Sequence, residues 1–269
     1  MIARHSFRAM GTDIECLLDA EPGDGFAAVE AEFVRLEALL SRFQPDSELS
    51  RLNAAGELVA GPELLEVTRL ALAARERTGG LFDPAVHDAV VAAGYDRSFE
   101  LLADDGRHAE AARCGGRIEV EGATIRLEPG TRLDLGGIAK GYAVDRVVEL
   151  LAPHGPCLVN AGGDLAVAGG SWPVAIEGTG LTLALDSGAL ATSGRDRRRW
   201  LLGGEELHHL VDPATGRPAV TDVMRATVVA ASAAEAEVLA KVAFLTGSVD
   251  APHVLVRADG RVVVGGGLA

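Results

Sequence analysis

DLGGIAKGYAVDRVVELL (residues 134–151), followed by PCLVNAGGDLAVA (residues 156–168), is the stretch on which the fold turns. Gly136-Gly137 opens a helix that runs through about Leu151, and the two short apolar runs after it, near 156–160 and 164–168, meet at Gly162-Gly163. A glycine pair between two such runs predicts a tight reversal between neighbouring strands. Downstream, strands near 173–177, 181–185, 207–211 and 225–231 alternate with glycine turns, then a helix spans Ala233 to Leu245 and a hairpin surrounds Ala258-Asp259-Gly260-Arg261. Upstream, two extended runs, 2–9 and 12–19, flank Gly11, and apolar residues at Val29, Phe33, Leu36, Leu39 and Leu40 recur at spacings of three and four, predicting an amphipathic helix from Phe26 to Phe43. Pro45 breaks that periodicity, and Asp46 or Ser47 caps a short helix after it. A further helix runs from Pro62 to Arg77 and ends at Gly79-Gly80. Residues 96–116 are polar, and short strands follow near 117–120, 124–127 and 131–134. Many short strands with few helices predict an α+β fold of antiparallel-rich sheets flanked by helices. No repeat or linker divides the chain, so one domain over residues 1–269 is expected.

Composition narrows the function. The chain has 269 residues with 25 Lys+Arg against 39 Asp+Glu, a net charge of −14, which argues against a broad grip on nucleic acid or an anionic membrane. No stretch is long and apolar enough to span a bilayer, and Arg4, His5, Arg8 and Asp13 stand where a signal peptide needs its apolar run. Cys16, Cys114 and Cys157 are scattered and form no CxxC pair, so neither a disulfide framework nor a cysteine zinc site is indicated, and a cytoplasmic protein is expected. Only Lys140 and Lys241 among the 25 basic residues are lysine. Lysine is the compact, titratable cation that arginine cannot imitate, so both positions draw notice.

Several segments carry chemistry. Asp134-Leu135-Gly136-Gly137-Ile138-Ala139-Lys140-Gly141, with Asp145 one turn on, places glycines and a lysine at a helix start, where backbone N–H groups and one point charge can hold a phosphate. The same pattern also serves a helix start chosen for packing. Leu158-Val159-Asn160-Ala161-Gly162-Gly163-Asp164 lets a ligand lie against bare backbone, or is simply a tight turn. Ala191-Thr192-Ser193-Gly194 presents two hydroxyls and a backbone donor ahead of Arg195, Arg197, Arg198 and Arg199, a run that by itself reads as a solvated face. His209 sits at a strand end close to Asp212-Pro213.

Taken together, Met10-Gly11-Thr12, Asp46 to Ser50 with Asn53, Thr78 to Pro84, Asp134 to Asp145, Asn160 to Asp164, Thr192-Ser193-Gly194 and His209 to Pro218 resemble the ApbE-type FAD:protein FMN transferase family. The resemblance implies that family's single α+β unit with FAD as substrate. It also implies attack by a Thr or Ser hydroxyl of an acceptor flavoprotein on the FMN-side phosphorus, with AMP leaving. Carried over residue by residue, it makes Met10, Asn53, Asp83, Lys140, Asp145, Gly162, Gly163, Asp164, Thr192, Ser193 and Gly194 candidate FAD contacts. His209 is the candidate base, with Lys140 and Asp164 completing the catalytic set. Two other outcomes stay open, a flavin-binding protein that does not catalyse transfer and a hydrolase that splits FAD into FMN and AMP.

The resemblance breaks at one motif. Family members carry Ala-Asp-x-x-x-Thr on the last helix, where the carboxylate and hydroxyl bind Mg²⁺ with a backbone carbonyl that would here belong to Gly137. This chain reads Ala236-Glu237-Val238-Leu239-Ala240-Lys241. Glu237 keeps an oxygen donor, but an ammonium cannot ligate a hard cation. Glu237 and Lys241 form either an ordinary i,i+4 pair or a unit in which the ammonium takes the metal's place. The second reading expects weak dependence on Mg²⁺, or none.

Overall fold

The computed structural model describes residues 1–104 and 106–268. Strands β1 (Ala3–Ala9) and β2 (Thr12–Leu18) precede helices α1 (Gly25–Leu40) and α2 (Glu48–Ala55), strand β3 (Glu57–Val59), and helices α3 (Pro62–Arg77) and α4 (His87–Ala92). Strands β4 (Ile118–Glu121) and β5 (Thr124–Leu127) lead to α5 (Ala139–Leu151), then β6 (Cys157–Ala161), β7 (Asp164–Ala168), β8 (Trp172–Ile176), β9 (Leu181–Leu185) and β10 (Gly188–Gly194). The chain continues through β11 (Arg199–Leu202), β12 (Glu205–His208), β13 (Val211–Asp212), β14 (Arg217–Pro218) and β15 (Val223–Ala230), and ends with α6 (Ala233–Thr246), β16 (His253–Arg257) and β17 (Val262–Gly265). The α+β expectation is met. The chain divides into two compact units, the first comprising Met1–Glu37, Ile138–Ser193 and Asp222–Ala269, the second Ala38–Gly137 and Gly194–Thr221.

The first unit is built on an eight-stranded sheet in the order β1-β2-β6-β7-β10-β15-β16-β17. The strands at its centre are apolar at nearly every position because both faces are covered. One face packs Leu158, Leu165, Val167 and Leu190 against Trp172, Val174, Ile176 and Leu185 of the β8–β9 hairpin. The alternate residues, Cys157, Val159, Ala161 and Ala166, are small or medium, and α5 packs on β6 and β7. α6 packs on β15 and on α5. α6 begins at Ser232, whose hydroxyl accepts the Glu235 N–H at 3.2 Å, and it ends at Gly247 in the left-handed conformation. Gly162 and Gly163, at φ 65° and 108°, make the two-residue turn that pairs Ala161 with Asp164, a connection L-residues with side chains rarely allow.

The second unit contains a small antiparallel sheet, β3-β5-β4, with α2, α3 and α4 and the hairpins β11–β12 and β13–β14. Its aromatic cluster joins Val90, Ala93 and Tyr95 to Trp200, Leu202 and Leu207, and the Trp200 indole N–H donates to the Ala93 carbonyl at 2.9 Å. Ser47 is the cap of α2, its hydroxyl accepting the Ser50 N–H at 3.0 Å. Two expected strands are absent or shortened. Residues 131–134 are extended but join no sheet, because Asn53 takes up the Leu133 N–H at 2.7 Å and donates to its carbonyl at 2.8 Å, while Asp134 N–H bonds the Pro84 carbonyl at 2.8 Å. The strand expected over 207–211 breaks at His209, since the Leu210 N–H donates to the His208 ring at 3.3 Å instead of to a partner strand. Strands β3, β10, β11 and β14 and helix α4 are additions. In the polar stretch 96–116, residue 105 lies outside the described residues and a short 3₁₀ turn forms at Phe99–Leu101.

Candidate functional site

Helix α5 delivers Lys140 one residue after its first position, and the residue points across to β7 and α6. Its ammonium lies 2.7 Å from Asp164 Oδ2 and 2.5 Å from Glu237 Oε1. The second lysine, Lys241, one turn after Glu237 on α6, is 3.4 Å from that same Oε1. Glu237 Oε2 accepts the Gly141 N–H at 2.9 Å, so both oxygens of a carboxylate that is 1% exposed are engaged. Two half-buried lysines and two buried carboxylates thus form one group held by three elements.

The electrostatics of the group are set by burial against pairing. Burial works against ionisation of Glu237, but the ammoniums of Lys140 and Lys241 and the Gly141 N–H outweigh it and hold the carboxyl below its ordinary value. Burial of Asp164 prevails over the attraction of Lys140 and lifts that carboxyl, with Glu237 adding to the rise. Lys241 is pushed down by burial, against the opposing pull of Glu237. Glu237 is therefore the shared anion and Asp164 the carboxyl nearer to taking up a proton.

The remaining expected contacts of the first unit gather around this group or brace it. Asp145 accepts the Ala233 and Ala234 N–H groups at 2.7 and 3.0 Å, so its carboxylate caps the start of α6. A carboxylate at a helix N-terminus is stabilised by the unpaired donors and the helix dipole. Gly163 accepts the Thr192 N–H at 3.0 Å through its carbonyl, and Thr192 and Thr227 share a hydroxyl hydrogen bond of 2.9 Å. Ser193 follows, buried, on β10. A Cβ at Gly162 would fall inside the Thr12 hydroxyl. Thr12 belongs to the Met10-Gly11-Thr12 motif, whereas Thr227 is a part of the arrangement that sequence reasoning did not single out; a threonine within an apolar strand is the only signal it gives.

Met10 occupies the β1–β2 turn at φ 50°, the one non-glycine residue with positive φ among the described residues, and donates its N–H to Glu37 at 2.8 Å. With Gly11 at φ 67° and Ala9 paired to Thr12, the turn is of the type that favours Asn-Gly. Met10→Asn is expected to raise stability by about 1 kcal/mol, read by thermal unfolding, because the left-handed conformation is disfavoured for methionine. If Met10 touches flavin, the same variant loses FAD affinity while gaining stability. A variant that gained neither stability nor lost affinity would remove the turn from consideration.

In the second unit the expected residues have partners of their own. Asn53 is committed to the Leu133 backbone as described. Asp83 accepts the Ala85 N–H at 2.8 Å and faces Arg75 Nε at 3.3 Å; its burial raises the carboxyl's pKa despite both partners. Gly137 lies in the turn before α5, Gly194 ends β10, and His209 occupies the bend after β12 with a buried Nδ1. Sequence reasoning did not single out Arg42. It pairs with Asp134 at 2.8 Å, donates to the Tyr95 carbonyl at 2.7 Å and stacks on Phe43 and Tyr95.

A divalent cation does not fit the donors present on α6. Mg²⁺ asks for an octahedron of hard oxygens. Here one oxygen of Glu237 holds two ammoniums, the other holds a backbone N–H, and the residue one turn on is lysine. At an effective dielectric of 20, a divalent ion about 4 Å from an ammonium meets roughly 8 kcal/mol of repulsion. No cluster of three or more His, Cys, Asp or Glu suited to a metal ion occurs among the described residues.

An α+β protein with a lysine-bearing glycine turn at a helix start, a second glycine turn ending in a buried aspartate, and hydroxyls on the next strand has the arrangement that the resemblance to the flavin transferases implied. The sequence model of the ApbE family matches residues 10–264, and the chain belongs to that family. It is 33% identical over 261 residues to the FAD:protein FMN transferase of Treponema pallidum, an alignment covering 82% of this chain and 72% of that protein. Against the Rhodobacter capsulatus protein of the same name it is 31% identical, covering 96% of this chain and 54% of the relative, so the chain spans about half of that longer protein. The crystal structure of the ApbE protein from Thermotoga maritima superposes with a TM-score of 0.88 at 24% identity, covering 98% of this chain and 97% of that one, which establishes the fold.

Proposed function

We propose that this protein is an FAD:protein FMN transferase acting as one domain over residues 1–269. In the reaction, the hydroxyl oxygen of a Thr or Ser on an acceptor protein bonds to the FMN-side phosphorus of FAD. The phosphorus–oxygen bond to the AMP portion breaks, AMP departs with the bridging oxygen, and the hydroxyl proton passes to a base. The observation that carries this reading is the buried group of Lys140, Asp164 and Glu237 beside the Gly162-Gly163 turn, in a chain whose relatives bear that name.

Each residue has a role that follows from its chemistry. Lys140, fixed between two carboxylates, brings a positive charge to the pyrophosphate without having to reorganise, which is the condition for electrostatic stabilisation of a phosphoryl transfer. Gly162, Gly163, Thr192, Ser193 and Gly194 give backbone and hydroxyl contacts to FAD, while Met10, Asn53 and Asp83 complete the proposed contacts. Asp145 acts from behind by fixing the start of α6. His209 takes the hydroxyl proton. Oxygens from Gly137 and Glu237 were the candidate ligands for Mg²⁺, and no step here runs through a metal.

The test is purified protein with FAD and a threonine-containing acceptor, following AMP and acceptor mass together. Transfer adds one FMN to the acceptor for each AMP released. AMP without acceptor modification would make the protein a hydrolase, and FAD retained intact would make it a binder. His209→Ala is expected to keep FAD affinity and lose transfer about 10²-fold, close to 2.7 kcal/mol of barrier. Undiminished transfer would move the base to another group, Asp164 being the carboxyl whose burial already favours protonation.

The proposed setting is the cytoplasm, which accords with three free cysteines. No helix among the described residues is long and apolar enough to cross a membrane. A net charge of −14 accords with a protein acceptor and gives no general attraction for nucleic acid.

A further inference from the structure

We propose that this protein handles FAD without a divalent cation, the ammonium of Lys241 being a cation built into the chain where its family would place a metal. The inference rests on the transferase reading and goes beyond it, since that reading sets Lys140 at the pyrophosphate and gives Lys241 no part.

Three observations carry it. Lys241 is not a surface lysine that happens to follow a glutamate by one turn: its partner Glu237 is buried, and its side chain is only 20% exposed. An exposed i,i+4 pair would leave both heads in water, whereas this one directs the ammonium into the group formed by Lys140, Asp164 and Glu237. Next, both oxygens of Glu237 are already engaged by N–H donors. Oε1 receives both ammoniums and Oε2 receives the Gly141 N–H, so a metal at Glu237 would sit against two ammoniums and, one turn on along the helix, would find Lys241 in place of an oxygen ligand. Finally, the charges in the group balance without a metal, two lysines against two carboxylates. Burying a lysine beside another lysine is unfavourable unless each has an anion to face, and Glu237 serves both.

The cost and gain of such an exchange follow from the chemistry of the two cations. An ammonium supplies one charge and up to three N–H donors at hydrogen-bond length, whereas Mg²⁺ supplies two charges at about 2.1 Å and must shed water to do so. The chain therefore exchanges strength of charge for permanence. Its cation is present at every metal concentration and needs no loading step.

The experiment titrates FAD into the full chain by flavin fluorescence, once in chelator and once in excess Mg²⁺, and looks for bound metal with Mn²⁺ as a spin probe at saturating FAD. Equal affinity in the two media and no protein-bound Mn²⁺ are expected. Lys241→Met keeps the apolar stem and removes the charge; it is expected to weaken FAD ~10-fold in chelator, with no recovery on adding Mg²⁺. The paired change Glu237→Asp with Lys241→Thr restores an oxygen set, and its FAD affinity is expected to rise ~10-fold or more when Mg²⁺ is added. FAD affinity of the unaltered chain that rises ~10-fold with Mg²⁺, or Mn²⁺ held on the protein, would overturn the proposal whether or not the variants fold. A well-folded Lys241→Met that bound FAD as tightly as the unaltered chain in chelator would do the same. Transfer seen only with Mg²⁺ overturns this inference and leaves the transferase reading standing; FAD bound in neither medium overturns both.

Discussion

Lys140→Met is expected to destabilise the protein by about 3–5 kcal/mol at neutral pH, the range for breaking a buried ion pair by removing one partner. Methionine matches the stem but leaves Asp164 and Glu237, 4% and 2% exposed at their side chains, with Lys241 as the one remaining ammonium in the group. That ammonium is 3.4 Å from Glu237, a weaker hold than the one lost. The variant's pH dependence separates this cause from simple loss of packing. In the unaltered protein Glu237 is held below its ordinary value, so its contribution is present above the carboxyl's unfolded pKa and is lost as pH falls through the folded one. Without Lys140 burial prevails at Glu237 too and lifts Asp164, already raised in the unaltered protein, still further. Such groups stabilise when protonated, and their penalty grows as pH rises through the folded pKa. The stability gap between variant and unaltered protein is therefore widest near pH 8 and narrows toward about pH 5, measured by denaturant unfolding at each pH. A gap that stayed constant with pH would mean that the lysine's stem, not its charge, holds the group. FAD affinity is expected to vanish at all pH values where the variant is folded, because no other residue on α5 brings an ammonium to Asp164.

The sequence identified both lysines through composition alone, because arginine fills every other basic position in the chain. It did not reveal that they share one carboxylate. Helix α6 is rich in alanine, so periodicity does not say which side faces inward, and Glu237 with Lys241 has the spacing of a solvent-exposed pair. Burial of Glu237 depends on α5, which contacts it from 96 residues earlier in the chain through Gly141 N–H. The helices α1 and α3 were legible because their apolar residues repeat with the helical period and their ends carry glycine, proline or a cap. Strand β5 and the β6–β7 pair were legible for similar reasons. Strand β10 was not: Gly-Ala-Leu-Ala-Thr-Ser-Gly has few β-branched residues, and it is a strand because β7 offers it a ladder from Val167 to Asp164. Residues 131–134 failed in the opposite sense. They have strand composition, but the Asn53 side chain satisfies Leu133 at both N–H and carbonyl before any strand can. Asp145 shows the same limit at the site. Its position after the lysine was visible, but its partners, the first N–H groups of α6, were not, since nothing local indicates which helix end will meet it.

Gly141→Ala is expected to destabilise by on the order of 3 kcal/mol or more, although helix propensity alone predicts a gain of about 1 kcal/mol. The two effects act at different places. Gly141 lies in the first turn of α5 with ordinary helical geometry, so alanine there is conformationally favoured. Its Cβ, however, would stand 2.5 Å from the carbonyl carbon and oxygen of Ala233 and 2.6 Å from the Ala234 nitrogen, which are backbone atoms without a rotamer to change. Nor can the α6 start move away cheaply. Asp145 holds the Ala233 and Ala234 N–H groups, and the Gly141 N–H itself bonds Glu237 Oε2, so any separation of α5 from α6 stretches three hydrogen bonds to buried or half-buried carboxylates. An unsatisfied buried polar group costs about 1–3 kcal/mol and a charged one more, which is why overpacking here falls at the upper end of its usual range. Ala233→Gly is expected to give no rescue, since the clash is with the Ala233 backbone rather than its methyl group. Rescue by that second change, or a Gly141→Ala protein as stable as the original, would show that the helices separate freely. In that event the shared glutamate could not be holding both lysines in place, and Lys140 would have to be positioned by Asp164 alone.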